Sequence, residues 1–175
     1  LPEIIFSMDD PVADYAIIPT YILAKKLSND IKVVLSGEGG DELGAGYGRY
    51  RRGMKIWPFA KSPWSEHIFR NSSIFYNSLD SWSSEILVDN IINQNRIGLN
   101  RLKKMQLLDL EHWLVNDLLI KVDRCLMAHG IEGRVPFLDK EIASFLFHLP
   151  DNLKIQRRLG KWIIRLWLNK FFPET

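Results

Sequence analysis

The chain has 175 residues, of which 46% are hydrophobic and 25% are charged, a composition typical of a globular domain and not of a disordered or fibrous protein. Its formal charge of +2 is too small to indicate nucleic-acid binding, so we expect no nucleic-acid partner. The single cysteine excludes an internal disulfide. No apolar run is long enough for a membrane span, so we expect no membrane partner.

The first predicted elements are a helix and a strand. Pro19 suits the first turn of a helix over residues 20–27, because the N–H that proline lacks would have no partner there. Residues 31–35 (IKVVL) are mostly apolar and β-branched, a pattern typical of a buried strand in a parallel sheet. We expect the other strands of that sheet to lie mostly before this chain.

The rest of the chain is predicted to be helical. Residues 47–55 indicate a basic helix or turn, and further helices are predicted over residues 85–92, 99–113, 117–128, 140–148 and 160–171. Asn116 and Asp139 are the predicted N-caps of two of them, while Gly130 and Pro150 follow their predicted ends.

A glycine-rich loop, residues 36–42 (SGEGGDE), follows the predicted strand directly. Ligands of open α/β sheets bind at the carboxyl ends of strands, and backbone N–H groups of such a loop can hold a phosphate. The loop is not a Walker A motif, because no Gly-Lys-Ser/Thr follows it.

Three carboxylates in this loop, Glu38, Asp41 and Glu42, would repel a phosphate unless a cation lay between them. Magnesium often uses one or two carboxylates together with substrate phosphates. The pattern therefore predicts Asp41 as a Mg²⁺ ligand on pyrophosphate and Glu38 as a separate acid or base. A tight turn whose acids cap the next helix fits the spacing equally well.

Five segments of the sequence resemble the glutamine-hydrolysing asparagine synthetase family. In chain order they are DDPVADYAIIPTYILAKKL (9–27), VLSGEGGDELGAGYGRYRR (34–52), LLIKVDR (118–124), EGRVPFLD (132–139) and GKWIIR (160–165). The resemblance implies an α/β fold, namely a helix-rich part of a PP-loop ATP pyrophosphatase-like parallel-sheet domain that binds adenine nucleotides. Residues 1–175 would be a partial C-terminal ATP-dependent domain, truncated at both ends, without the PP-loop strand or the N-terminal glutaminase domain.

The resemblance also implies a reaction. ATP would adenylate the side-chain carboxylate of aspartate, and ammonia from glutamine would convert the β-aspartyl-AMP to asparagine. By the match, the nucleotide-binding residues are Ser36, Gly37, Gly39 and Asp41, and the catalytic residues are Glu38 and Lys161. Asp41 would also hold Mg²⁺ on the pyrophosphate, Glu38 would be the general base for ammonia, and Lys161 would stabilise negative charge on the phosphate.

Other charged residues have simpler interpretations. Arg134, flanked by the acids Glu132 and Asp139, is predicted to form a buried ion-pair brace in preference to a substrate contact. The basic residues of 49–55 are predicted to form a solvated face or a contact to substrate or to the missing domain. Lys121, Asp123 and Arg124 are predicted to pair at helical spacing. Cys125 is predicted to be a small packing residue, not a nucleophile.

Three alternatives to asparagine synthesis stay open at this point. The acceptor carboxylate could belong to a glycan or peptide, the domain could be a non-catalytic relative, or residues 49–55 could bind nucleic acid, which we rank last. We expect a cytoplasmic protein, expect these 175 residues alone to be inactive, and leave a homodimer open.

Overall fold

The computed structural model describes residues 1–9, 14–54 and 98–172, which form helices and a small parallel sheet. In chain order the elements are α1 (Pro2–Met8), α2 (Ile17–Leu27), β1 (Val33–Leu35), α3 (Gly40–Gly44), α4 (Gly48–Gly53), α5 (Arg101–Leu108), a π-helical segment (Asp109–Leu118), α6 (Leu119–Met127), β2 (Glu132–Arg134), a 3₁₀ turn (Pro136–Leu138), α7 (Lys140–His148), α8 (Asp151–Lys154) and α9 (Trp162–Leu168). The helix predicted over residues 85–92 and the basic residue Lys55 lie outside the described residues. None of the described helices is long and apolar enough to cross a membrane.

The sheet pairs β1 with β2 in parallel, with Val34 opposite Gly133 at the centre of the register. Gly133 lies so close to α6 that a Cβ atom there would come 2.7 Å from Cδ1 of Leu126. The strand β1 is correctly placed by the sequence, and the described residues cover one of its two faces. Val33 and Leu35 are 52% and 72% exposed, and Val34 is the β1 residue that packs against a hydrophobic cluster. Alternate side chains of a strand point to opposite faces, and the described helices cover the Val34 face.

The chain divides into two compact units. The first comprises Leu1–Leu43 and Asp109–Leu149, and its core lies between α2 and α6. Val122, Cys125 and Leu126 share one face of α6 because they are three and four residues apart. Cys125 is fully buried, in agreement with its predicted role in packing.

A π-helical segment joins α5 to α6, so two helices that the sequence predicts as separate form one continuous helical stretch. Asn116 lies inside this segment, and its prediction as an N-cap is wrong. The predicted end is confirmed, since α6 stops at Met127 and Gly130 follows with a φ of 65°. Because each π turn takes up more residues than an α turn, the segment also sets which way the side chains of α6 face.

The helix α7 begins and ends as predicted. The carboxylate of Asp139 accepts hydrogen bonds from the backbone N–H groups of Glu141 at 3.0 Å and Ile142 at 3.3 Å, which makes Asp139 its N-cap. The helix ends at His148, two residues before Pro150.

The second unit comprises Gly44–Leu108 and Pro150–Thr175, and the core of its described part contains Ala45, Tyr50, Leu102 and Met105.

Part of the predicted basic surface packs within this unit. The Arg49 guanidinium lies 4.2 Å from the centre of the Tyr47 ring, and Arg51 donates a hydrogen bond to the carbonyl of Gly46. The interpretation of these two arginines as a purely solvated face is therefore wrong, because both are half-buried and are used in local packing.

Candidate functional site

The glycine-rich loop begins where β1 ends. The backbone N–H of Ser36 donates a hydrogen bond of 2.8 Å to the carbonyl of Arg134, which continues the parallel ladder by one residue and fixes the start of the loop. The Gly40 N–H then bonds to the carbonyl of Gly37 at 3.2 Å, and the Leu43 N–H bonds to the carbonyl of Gly39 at 2.9 Å. The loop is thus a tight turn that leads directly into α3.

Two glycines of the loop are there for different reasons. Gly39 has a φ of 86°, and a Cβ atom at this position would lie 2.3 Å from Cδ2 of Leu138, so the fold itself requires glycine here. At Gly37, by contrast, an added Cβ would meet no described atom within 4 Å. Among the described residues, therefore, no side chain blocks a ligand that approaches the backbone at Gly37.

The carboxylate of Glu38 lies next to a buried cation. The Lys121 ammonium nitrogen Nζ is 3.6 Å from Oε1 of Glu38 and 2.7 Å from Oδ2 of Asp14, to which it donates a hydrogen bond. The Lys121 side chain is only 8% exposed, and those of Asp14 and Glu38 are 16% and 22% exposed. One lysine thus connects the loop to the segment before α2.

Electrostatic interactions keep Lys121 and Asp14 ionised. Burial by itself would lower the pKa of Lys121, but the hydrogen bond to Asp14 and the negative charges of Glu38, Asp14 and Asp117 outweigh burial, so the pKa of Lys121 is raised. Burial would raise the pKa of Asp14, but hydrogen bonds from Lys121 and from the Ala16 N–H outweigh it and lower that pKa. Both groups carry their full charge at neutral pH.

The remaining acids of the loop lie in the first turn of α3, where Glu42 is buried and Asp41 is half-buried. The helix dipole favours negative charge at this end. The backbone therefore agrees with the alternative prediction of a tight turn followed by a helix that carries these acids in its first turn. Among residues 1–9, 14–54 and 98–172, no group of three or more His, Cys, Asp or Glu side chains is placed to hold a metal ion. A magnesium ion here would therefore need phosphate oxygens besides the carboxylate of Asp41, a donor set that magnesium commonly uses.

Lys161 belongs to the second unit and directly precedes α9, as predicted. Its backbone is left-handed, with φ 54° and ψ 35°, a conformation that costs a non-glycine residue about 1–2 kcal/mol. Its N–H bonds to the carbonyl of Gly44 at 2.8 Å, and a Cβ atom at Gly44 would lie 3.0 Å from Cγ of Lys161. Strain that the surrounding structure holds in place is typical of functional residues.

Of the six predicted site residues, five lie on the one loop of the first unit and Lys161 lies in the second unit. Sequence reasoning missed the contact of Lys121 with Asp14 and Glu38, because it predicted pairing along the helix. One signal was present. Lys121 shares the apolar face formed by Leu118, Val122 and Cys125, where a lysine needs a buried counter-charge.

Two other charged pairs differ from their predictions. Glu132 and Arg134 do form an ion pair at 2.5 Å, but their side chains are 53% and 66% exposed, so the brace is not buried. Arg124 pairs at 2.5 Å with Asp9, next to α1, instead of with a residue of its own helix. The reason is that β2 lies at the surface of the described structure, while α6 packs against α1.

Comparisons with known proteins all point to one family. The family model described as asparagine synthase matches residues 1–175. The chain is similar to asparagine synthetase (glutamine-hydrolyzing) 1 of Bacillus subtilis, with 29% identity over 212 aligned positions that cover 99% of this chain and 34% of the relative. A putative asparagine synthetase (glutamine-hydrolyzing) of Mycobacterium tuberculosis is 32% identical over 211 positions, covering 99% of this chain and 32% of the relative. The Gallus gallus asparagine synthetase (glutamine-hydrolyzing) is 29% identical over 168 positions, covering 93% of this chain and 22% of the relative. The chain spans about a third of the length of the two bacterial relatives.

Proposed function

Because the chain belongs to the asparagine synthase family, we propose that the protein forms asparagine by ATP-dependent amidation of aspartate, through β-aspartyl-AMP and with ammonia from glutamine. The observation that carries the proposal is the loop from Ser36 to Glu42, which starts at the carboxyl end of β1 and places Glu38 beside Lys121. The proposal includes a PP-loop-type sheet of which β1 and β2 are part, and a glutaminase domain that supplies the ammonia.

Nucleotide binding is assigned to the backbone of the loop at Ser36, Gly37 and Gly39. The open space at Gly37 supports this assignment, because a phosphate or ribose could approach the peptide group without meeting a side chain. Asp41 would hold Mg²⁺ together with the phosphates, and the ion would neutralise their charge.

The second half of the reaction is assigned to Glu38. When ammonia attacks the acyl carbon of β-aspartyl-AMP, a carbon–nitrogen bond forms, the bond to the AMP oxygen breaks, and the new nitrogen must lose a proton. A carboxylate near the acyl carbon is suited to take that proton, and Oε1 of Glu38 lies 3.6 Å from the Lys121 ammonium.

The stabilisation of negative charge on the phosphate is assigned to Lys161. A cation fixed in advance stabilises the negative charge that develops in the transition state without the cost of reorganising solvent. The left-handed backbone of Lys161, held by the Gly44 carbonyl, supports a role that justifies the strain.

The test is aspartate-dependent pyrophosphate release by the full-length protein with ATP and Mg²⁺, with and without ammonia, and with asparagine measured as the product. We expect pyrophosphate to require aspartate and asparagine to require ammonia as well. If pyrophosphate release does not depend on aspartate while ATP still binds, the acceptor is another carboxylate or the protein is non-catalytic, and the proposal fails.

Replacing Glu38 with Gln separates the two halves of the reaction. We expect asparagine formation to fall by about 100-fold or more, while aspartate-dependent ATP–pyrophosphate exchange stays within about threefold of the wild type. Glu141→Gln, which alters an exposed carboxylate on α7, is the matched control and should leave both rates unchanged. Full amidation activity in Glu38→Gln would remove Glu38 from the mechanism.

Asp41→Asn tests the magnesium assignment in the same assay. The variant should need a higher Mg²⁺ concentration for half-maximal exchange, by about tenfold, because one charged ligand is lost. An unchanged Mg²⁺ dependence would contradict the assignment.

A further inference from the structure

Lys121 is a buried lysine that none of the proposed catalytic steps uses directly. It lies in the first part of α6, on the face that packs into the first unit, and the residue is 6% exposed. Burying an ammonium group without a counter-charge costs free energy, so the partners of Lys121 indicate its role. Those partners come from two distant parts of the sequence, Asp14 before α2 and Glu38 in the loop after β1.

The two contacts differ in kind. Asp14 receives a direct hydrogen bond of 2.7 Å from Nζ, and its other oxygen, Oδ1, accepts a hydrogen bond of 2.8 Å from the Ala16 N–H, so both carboxylate oxygens are held. Glu38 lies 3.6 Å from the same Nζ, which is within reach of charge attraction but longer than a hydrogen bond. Asp14 therefore fixes the ammonium, and the ammonium attracts a carboxylate that keeps some freedom.

This arrangement suits a base that must change its protonation state. A carboxylate in a tight, direct ion pair loses much of its basicity, because the pair is broken when it takes a proton. A carboxylate attracted over 3.6 Å is oriented by the positive charge without a direct hydrogen bond, because the direct hydrogen bond of Lys121 goes to Asp14. A plain buried brace would need only the contact between Lys121 and Asp14.

We propose that Lys121, anchored by Asp14, is a positioning residue that orients the Glu38 carboxylate toward the ammonia-attack step. The inference rests on the proposed function, since it acts through Glu38 as the base. The π-helical segment before α6 contributes to the same end, because it sets the rotation of α6 that brings Lys121 to the loop.

The experiment compares Lys121→Met and Lys121→Arg in the full-length protein. Lys121→Met keeps the apolar stem and removes the charge, so ammonia-dependent asparagine formation should fall by about tenfold or more, as expected when a catalytic group loses its orientation. Aspartate-dependent ATP–pyrophosphate exchange should change by less than about threefold, because adenylation does not use Glu38. Lys121→Arg keeps the positive charge and should recover part of the lost rate.

Two controls separate positioning from structure. Lys25→Met removes an exposed lysine whose partner Glu3 is 3.6 Å away, and it should leave both rates unchanged. In a Glu38→Gln background, Lys121→Met should cause less than about a twofold further loss, since a residue that acts through Glu38 has nothing left to orient. Equal losses in exchange and amidation, or losses that multiply in the double variant, would show a general structural role and overturn the proposal.

A milder variant covers the case in which Lys121→Met does not fold, as judged by circular dichroism. Asp14→Asn keeps Lys121 and the side-chain volume but weakens the anchor, so amidation should fall by about threefold or more while exchange holds. No selective loss in a folded Asp14→Asn protein would also overturn the proposal. Failure of the proposed function itself looks different, because wild-type exchange would then not depend on aspartate at all.

Discussion

Two neighbouring glycines of the loop should respond in opposite ways to the same substitution. At Gly39 the backbone has a φ of 86°, and an alanine Cβ would lie 2.3 Å from Cδ2 and 2.9 Å from Cγ of Leu138. At Gly37 the φ is outside the left-handed region, and a Cβ would meet no described atom within 4 Å. Gly39→Ala should therefore damage the fold, whereas Gly37→Ala should affect only what binds beside it.

The magnitude for Gly39→Ala follows from two costs. A left-handed conformation costs alanine about 1–2 kcal/mol, and displacing Leu138 costs about 1–3 kcal/mol. Restricting the unfolded chain returns about 0.4–1 kcal/mol, which leaves a net loss of roughly 2–4 kcal/mol. For a chain of this size the melting temperature should fall by roughly 5–15 °C. Gly37→Ala only restricts the unfolded chain and has neither of the two costs, so its melting temperature should stay the same or rise by a few degrees.

The assay combines thermal unfolding, followed by circular dichroism, with equilibrium binding of ATP to the full-length protein. Gly37→Ala should weaken ATP binding by about tenfold, or 1.4 kcal/mol, because the methyl group occupies the open space beside the peptide. A similar loss of stability in both variants would refute the distinction between a glycine required by packing and one required by a ligand. Unchanged ATP affinity in Gly37→Ala would refute the nucleotide contact alone.

Three further predictions follow from single groups. Asp139→Ala should lower the free energy of unfolding by about 1 kcal/mol in urea titrations, whereas Asp139→Asn, which keeps a cap acceptor, should lose only a few tenths; equal losses would reject the N-cap. Burial lowers the pKa of Lys154 from 10.5 to about 8, so the unfolded chain holds that proton more tightly between these values. Stability should therefore rise as pH increases from about 8 to 10.5, by at most about 3 kcal/mol and less where water reaches the ammonium. Lys154→Met should abolish that rise, and its persistence would assign it to another group. Cys125 is fully buried, and burial raises its pKa, so mass spectrometry should find it unmodified by iodoacetamide until urea unfolds the protein; rapid labelling of the native protein would contradict this.

Much of the local structure was predictable from short sequence signals. The helix α7 is defined by Asp139 at its start and Pro150 just beyond its end, two residues whose backbone chemistry acts locally. The position of β1 and the turn that follows it are likewise local, because they rest on a β-branched run and on glycines. Local sequence signals are therefore enough to locate the loop, whereas the nucleotide-binding roles predicted for Ser36, Gly37 and Gly39 rest on the family resemblance.

What the sequence did not reveal depends on distant contacts. The strand β2 has the sequence Glu-Gly-Arg, which has no β-branched residue, and it is extended because it pairs with β1. Its central Gly133 makes room for Leu126, which is a tertiary requirement. The contact of Lys121 with Glu38 depends in the same way on how α6 packs beside β1, and no spacing along the chain encodes it.

The pairing of β1 with β2 has a consequence for the order of events on the ribosome. The Ser36 N–H finds its partner only at the carbonyl of Arg134, and Glu38 finds Lys121 on the same late stretch of chain. At a synthesis rate of about 5–20 residues per second, roughly 100 residues of delay correspond to about 5–20 s. During that interval the growing chain carries an apolar strand edge and an acidic loop without their partners, so this is the stage at which a chaperone that shields strand edges would help most.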